Sequence, residues 1–164
     1  MKKFLCVFLA LFALALTGCG GGKEVYSGEG YEFSYAPDKW ELGFEDDDGM
    51  VSFKRKGFDE VSFGVYRYTP EENVSLNERL EHSKEICEAN GYTWDSGEII
   101  YIDGRECGKA EYQEEILGVV FKYVDFMYYD YPYAYAINFT SDIDSFDKCI
   151  KEFEEIFDSF KITE

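Results

Sequence analysis

The segment from residue 98 to residue 140 limits the choice of fold most, because most of it reads as a series of β-strands separated by turns. Residues 98–102 and 105–112 have the composition of strands. The pair Asp103-Gly104 joins them and tolerates the positive φ angles of a tight hairpin turn. This pair predicts a β-hairpin, and therefore an antiparallel sheet.

Two further strands are predicted after this hairpin. Residues 116–129 are apolar on both faces over much of their length, which is typical of a central strand covered on both sides. The turn at residues 130–132 leads into residues 133–140, where large and small side chains alternate with the period of a strand. Shorter strands with the same period are predicted around residues 31–35, 51–53 and 61–65.

Two segments have the period of a helix instead. Ser75 and Glu78 form an S-x-x-E capping box at the start of residues 75–90, and Asn90-Gly91 ends that helix. Residues 144–159 predict a second helix with one strongly apolar face. The fold class expected from this order is α+β, an antiparallel sheet sandwiched by helices. The expected core includes Trp40 and the apolar face of the second helix, which consists of Phe146, Cys149, Ile150, Phe153, Ile156, Phe157 and Phe160.

The N-terminal residues have the pattern of a secretion signal. Lys2 and Lys3 precede an apolar run at residues 4–16. This run is too short for a spanning helix, which needs about 20 apolar residues. The sequence Leu-Thr-Gly-Cys at residues 16–19 closely resembles the bacterial lipobox, which implies transfer of a lipid to the Cys19 sulfur and cleavage before it.

Three regions are therefore expected. Residues 1–18 are a lipoprotein signal peptide, residues 19–30 a lipidated, glycine-rich, flexible tether, and residues 31–164 a single domain. Two or more acyl chains on Cys19 would anchor the chain stably to the membrane, with the domain on the extracytoplasmic face.

The charge of the chain limits its partners. It has 34 acidic and 16 basic residues, and removal of the signal would take away two lysines and no acid. Such a chain is repelled by nucleic acid and by anionic lipid headgroups. Acidic chains are often disordered, but 19% of these residues are aromatic, which indicates a folded core.

The cysteines do not form a disulfide framework. Cys6 would leave with the signal, and Cys19 would carry the lipid. Cys87, Cys107 and Cys149 remain, so at most one disulfide can form, and buried free thiols are the default expectation.

Both ends of the predicted domain resemble PsbP-like domains. The stretch YEFSYAPDKW at residues 31–40 is similar to the opening strand, proline turn and tryptophan of that group, which includes DcrB-like envelope lipoproteins. The strand YAINFTS at residues 135–141 and the helix ending FDSFKI at residues 157–162 are similar to its close. The resemblance implies a PsbP-like αβα sandwich and carries no function with it.

No catalytic constellation stands out. His82 is the only histidine, which is too few for a two-histidine metal site, and an exposed helix position is expected for it. Asp46, Asp47 and Asp48 are weak candidates for a calcium site, but consecutive residues of a strand point to opposite faces, so a solvated hairpin tip is favoured. No cofactor is predicted.

Tyr128, Tyr129 and Tyr131 are weak candidates for a partner surface, because tyrosines provide rigid contact area. The competing interpretation packs them under a helix. The function expected is non-catalytic binding of another cell-envelope component, a protein or a glycan. A carboxylate-based hydrolase acting on wall polymers, or a calcium-binding envelope protein, is the alternative; two facing acids of raised pKa in a deep pocket would favour the hydrolase.

Overall fold

The computed structural model describes residues 22–47, 49–70, 74–102, 104–130 and 132–163. In these residues ten strands and two helices follow one another along the chain. In order they are β1 (Glu24–Gly28), β2 (Tyr31–Tyr35), β3 (Trp40–Glu45), β4 (Val51–Arg55), β5 (Ser62–Tyr68), α1 (Leu76–Ala89), β6 (Thr93–Ile102), β7 (Arg105–Ile116), β8 (Val119–Asp130), β9 (Tyr133–Asp142), α2 (Ile143–Phe157) and β10 (Lys161–Ile162).

The strands form two antiparallel sheets. The large sheet has seven strands in the order β3-β4-β5-β9-β8-β7-β6, and the small sheet has three in the order β1-β2-β10. One face of the large sheet packs against α2 and the small sheet, and α1 packs on the other face over β6 and β7. The predicted α+β fold class, a sheet with helices on both faces, is therefore confirmed.

The main core lies between the large sheet and α2. The register places Phe63 opposite Phe139 and Phe139 opposite Val124, so that large side chains of three adjacent strands share one face. Phe153 of α2 packs on them, with ring centroids 4.9 Å from Phe139. Trp40 and the predicted apolar face of α2 are buried here, except that Ile150 is only partly buried.

A smaller apolar cluster lies under α1. Leu76 and Leu80 of the helix pack on Ala110 of β7 and Met127 of β8. The predicted capping box starts the helix: the Glu78 amide donates to Ser75 Oγ, and the Ser75 amide donates to Glu78 Oε2 at 2.8 Å. Gly91 follows the helix with φ +86°, as a helix C-terminal glycine requires.

Part of the predicted tether is folded. Residues 24–28 of the predicted segment 19–30 form β1, which pairs with β2. Tyr26 stabilises this strand, because its ring stacks on Phe33 and meets the edge of Phe53. The domain therefore begins before Tyr31, and the prediction was wrong for these residues.

Residues 116–129 are also divided differently from the prediction. Ile116 ends β7, a turn at Leu117-Gly118 follows, and β8 begins at Val119. Strand β8 has packed side chains on both faces, as expected, while β9 takes the middle position of the sheet.

Cys87, Cys107 and Cys149 are buried free thiols, as predicted. Burial raises the pKa of the Cys107 thiol to about 12, so this sulfur stays protonated at neutral pH. Neither helix in the described ranges has the length and apolar character to cross a bilayer.

Candidate binding groove beside the first helix

The face of the large sheet that carries α1 is only partly covered. We call it the α1 face. Strand alternation places Tyr66 and Tyr68 of β5 there, opposite Ala136 and Ala134 of β9, because their neighbours point into the main core. Since α1 lies mainly over β6 and β7, these tyrosines stand beside the helix and not beneath it.

A shallow groove of about 580 Å³ runs between β5 and α1. We call it the α1 groove. One wall consists of strand tyrosines and the other of polar side chains from the helix. Its lining residues are Tyr66, Tyr68, Thr69, Pro70, Val74, Glu78, Arg79 and His82.

The tyrosines form an ordered wall. The rings of Tyr66 and Tyr68 stack with centroids 5.4 Å apart and an interplanar angle of 10°. The Tyr68 hydroxyl lies 3.4 Å from that of Tyr129 on β8. Burial and the neighbouring Tyr68 phenol raise the pKa of Tyr129, so the Tyr129 phenol stays protonated at neutral pH. Tyr66 keeps 41% of its surface exposed and is available to a ligand.

Arg79 supplies the cation of the groove. Its guanidinium carbon lies 5.8 Å from the centroid of the Tyr129 ring, a cation–π distance. Its Nε is sealed from solvent and has no hydrogen-bond partner in the described part of the chain. A buried donor without a partner costs about 1–3 kcal/mol, so this nitrogen lowers the stability of the α1 face.

A buried carboxyl group lies further along the α1 face. Asp125 of β8 accepts a hydrogen bond from the Tyr112 hydroxyl at 3.0 Å. Its other oxygen, Oδ1, is enclosed and has no partner among the described residues. Burial raises the pKa of Asp125 to about 6, although the bond from Tyr112 acts in the opposite direction.

Among the described residues, Asp125 has no second acid of raised pKa as a partner. Burial favours the neutral form of Glu111 as well, but hydrogen bonds from Lys109 and Lys122 outweigh this and lower its pKa. The pKa of Glu152 is lowered in the same way, by Arg55 and Lys39. The two facing acids of raised pKa that a carboxylate hydrolase would require are therefore not found in the described ranges.

The structure describes two of the three tyrosines that were predicted to form a partner surface. The prediction was wrong for Tyr128, which is 5% exposed and stacks on Phe157 and Phe160 in the main core. Tyr129 has the opposite parity, is partly buried, and meets Tyr68 next to the α1 groove. Tyr131 lies outside the described residues.

The other candidate residues are spread over the molecule. Asp46 Oδ1 accepts the Met50 amide at 2.8 Å and so closes the turn between β3 and β4. Asp47 is exposed there, and Asp48 lies outside the described residues, as does Cys19. No cluster of three metal-binding side chains occurs in the described part of the chain. His82 is exposed on α1, as predicted, and stands at the edge of the α1 groove.

Sequence reasoning missed Tyr66, Tyr68, Arg79 and Asp125. A signal existed for the tyrosines. If Phe63 and Val65 point into the core, the period of a strand makes Tyr66 and Tyr68 point to the opposite face of the sheet. Asp125 also had one, as an acid inside a run that is otherwise largely apolar. No local pattern brings Arg79 to these strands.

The described residues adopt a PsbP-like α+β fold, an architecture that Mog1-type proteins also have. No protein-family model matches the sequence, and no curated protein sequence matches it.

Several solved structures have a similar fold. The cyanobacterial PsbP protein CyanoP from Synechocystis sp. PCC 6803 superposes with a TM-score of 0.70 at 18% identity, covering 93% of this chain and 98% of CyanoP. LpqN of Mycobacterium tuberculosis, described as involved in cell envelope biogenesis, has a TM-score of 0.64 at 11% identity, covering 87% of this chain and 91% of LpqN. The Saccharomyces cerevisiae Ran-binding protein Mog1p has a TM-score of 0.63 at 10% identity, covering 88% of this chain and 97% of Mog1p. At these identities the likeness concerns the fold alone.

Proposed function

We propose that this chain is a lipid-anchored extracytoplasmic domain that binds another component of the cell envelope without catalysis, and that the α1 groove is its binding site. The observation that carries the proposal is the composition of the groove. Stacked tyrosines, one of them exposed, share the groove with the guanidinium group of Arg79. Such rigid aromatic surfaces with a few polar groups are typical of recognition sites.

The chemistry of the α1 face supports binding over catalysis. Asp125 is a single acid of raised pKa, and it is enclosed beneath side chains instead of standing in an open cleft. The α1 groove is shallow and aromatic, and Glu78, the one carboxylate among its described lining residues, is held by the cap of α1. The fold is also shared with proteins described as Ran-binding and as involved in cell envelope biogenesis.

The anchor rests on the lipobox-like sequence that ends at Cys19. Cys19→Ala is expected to leave an uncleaved precursor that takes up no labelled fatty acid in the cells that make the protein. Equal labelling of the parent and the variant would remove the lipid anchor from the proposal and leave the groove untouched.

The groove is tested with the domain from residue 23 onward as bait for detergent-solubilised envelopes of the same cells. Tyr68→Ala and Arg79→Met are the groove variants. Tyr101→Ala is the matched control, since Tyr101 is 68% exposed on β6, at the far edge of the sheet. We expect a component retained by the parent and the control but at least tenfold depleted with both groove variants. Equal retention by all four proteins would contradict the binding site.

A further inference from the structure

The hairpin between β7 and β8 extends beyond the rest of the large sheet. On one side β6 begins opposite Gln113, and on the other side β9 ends opposite Phe121. Residues 115–120 therefore project as a two-stranded ribbon that no other strand of the described chain borders. An isolated two-stranded ribbon has little stability of its own. Its side chains are therefore available for a contact with another molecule.

This hairpin tip, residues 115–119, is apolar where a solvated turn would be polar. Leu117 is 100% exposed, and Ile116 and Val119 are 42% and 45% exposed. Leu117 also has φ +53°, and Gly118 has φ +84°. Two positive φ angles favour Asn-Gly, and a leucine in this conformation costs roughly 1–2 kcal/mol. A strained, fully exposed leucine is unfavourable for the isolated domain and points to a role outside it.

A cleft of suitable character lies at the opposite end of the same strands. It has a volume of about 290 Å³. We call it the end cleft. Its apolar walls come from the β6–β7 and β8–β9 ends of the large sheet and from the residues after α2, and two basic side chains stand on it. Its lining residues are Ile102, Arg105, Tyr128, Phe160, Lys161 and Ile162.

The end cleft is unusual in charge. No acid is among its lining residues, whereas four other clefts formed by the described chain each include at least one. Asp130 and Glu32 lie near its rim, paired with Arg105 at 3.2 Å and with Lys161 at 3.9 Å. Both basic side chains remain more than half exposed, so they can meet further anions. The hairpin tip has the opposite charge, because Glu114 and Glu115 immediately precede Ile116.

We infer that the hairpin tip of one molecule inserts into the end cleft of a second copy of the same chain. The apolar side chains of the tip meet the apolar walls, and its glutamates meet Arg105 and Lys161. A 150 Å³ apolar cavity accommodates benzene, so about twice that volume accommodates two aliphatic side chains. The twelve residues of β7 separate tip and cleft by roughly 40 Å, so a molecule cannot fill its own cleft.

A contact between two different surfaces of identical molecules can produce two kinds of assembly. Either two copies pair reciprocally in antiparallel orientation, or the contact is repeated from copy to copy. The contact is small compared with a standard interface of about 1,600 Å², so weak association is expected. It is separate from the α1 groove and does not depend on the ligand proposed for it.

The experiment is sedimentation velocity on residues 22–164, which hold every strand and helix that the structure describes. The concentration is raised from about 10 μM to about 500 μM, a range suited to a small interface. The tip variant is Leu117→Asn, because asparagine removes the apolar side chain and accepts positive φ. The control is Leu42→Asn, a leucine that is 51% exposed on the edge strand β3.

We expect the parent and the control to gain mass with concentration, and Leu117→Asn to weaken association at least tenfold while remaining folded by circular dichroism. Glu114→Lys with Glu115→Lys, and Arg105→Glu with Lys161→Glu, should each associate as poorly. An equimolar mixture of these two proteins should associate again, because each tip then faces a cleft of opposite charge. A parent that stays monomeric throughout, association unchanged by Leu117→Asn, equal loss with Leu42→Asn, or a mixture that does not associate would each overturn the inference.

Discussion

The two faces of the large sheet carry different kinds of side chain. On the α2 face, fully buried phenylalanines such as Phe63, Phe139 and Phe153 pack ring on ring. On the α1 face the buried residues include a carboxyl group and a phenol, Asp125 and Tyr112. The same strands supply both faces, since alternate residues point to opposite sides.

This difference separates stability from recognition. The interlocking rings of the α2 face contribute most of the apolar burial, although Trp40 Nε1 is enclosed there without a hydrogen-bond partner among the described residues. The α1 face retains polar atoms without partners in the described chain, Asp125 Oδ1 and Arg79 Nε, which lower its contribution to folding. We expect mutations to cost more on the α2 face, and some polar removals on the α1 face to stabilise the protein.

The largest effect is expected for Phe157→Ala on the α2 face. The ring is 3% exposed and its centroid lies 3.6 Å from that of Phe126. Its loss should lower the free energy of unfolding by about 3–5 kcal/mol, measured by urea denaturation. A decrease below about 1 kcal/mol would mean that this face is not the main source of stability.

Asp125→Asn should act in the opposite direction on the α1 face. Burial raises the pKa of this carboxyl from 3.8 to about 6, so ionisation opposes folding at higher pH. The penalty is absent below about pH 4, develops between about pH 4 and 6, and is constant above. At pH 7 the variant should be more stable by about 2 kcal/mol, and at pH 4 nearly equal to the parent. Urea denaturation at both pH values checks this, and a variant less stable at pH 7 would break the comparison.

Leu80→Ala measures the apolar part of the α1 face. Leu80 is 8% exposed and packs in the small cluster under the helix. We expect a loss of about 2 kcal/mol, at the lower end for a buried leucine, because the open groove beside α1 allows the site to relax. Leu42→Ala is the control and should change stability by less than about 0.5 kcal/mol. A loss from Leu80→Ala equal to that from Phe157→Ala would mean that the two faces contribute equally to the free energy of unfolding.

The smallest effect concerns the N-terminus of α1. Ser75→Ala removes the hydroxyl that accepts the Glu78 amide and the charge-assisted bond to its carboxylate. A loss of about 1 kcal/mol is expected. Hydrogen exchange should quicken in the first turn of α1 and stay unchanged in α2. Equal quickening in both helices would indicate that α1 and α2 unfold as one unit, contrary to the separation of the two faces.

The sequence predicted the α2 face better than the α1 face for a physical reason. Phe153 and Phe157 repeat with helical period and Phe63 with strand period, so burial on one side is encoded locally. Tyr128 lies in a strand with packed side chains on both faces, where alternation gives no parity signal, so it remained a candidate for the partner surface although it is buried. Strand β1 was missed because its stability comes from pairing with β2 and from Tyr26, and not from its own composition.

The candidate site was less predictable than the fold. Its two walls come from β5 and from α1, and which strand faces the helix depends on a sheet order that places β9 between β5 and β8. Alternation could assign Tyr66 to a face, but only the assembled sheet places it beside Arg79 and His82.

The small sheet has a consequence for the order in which the chain folds. Strand β10 pairs with β2, and the Ser159 hydroxyl accepts the amide of Ser34 although the two residues are 125 positions apart. Strand β5 likewise finds its inner partner only when β9 has been made. Two of the first five strands, β2 and β5, therefore cannot complete their pairing until nearly the whole chain is present, and contacts of such long range slow folding. Both sheets are therefore completed only when the C-terminal part of the chain, from β9 to β10, has been synthesised.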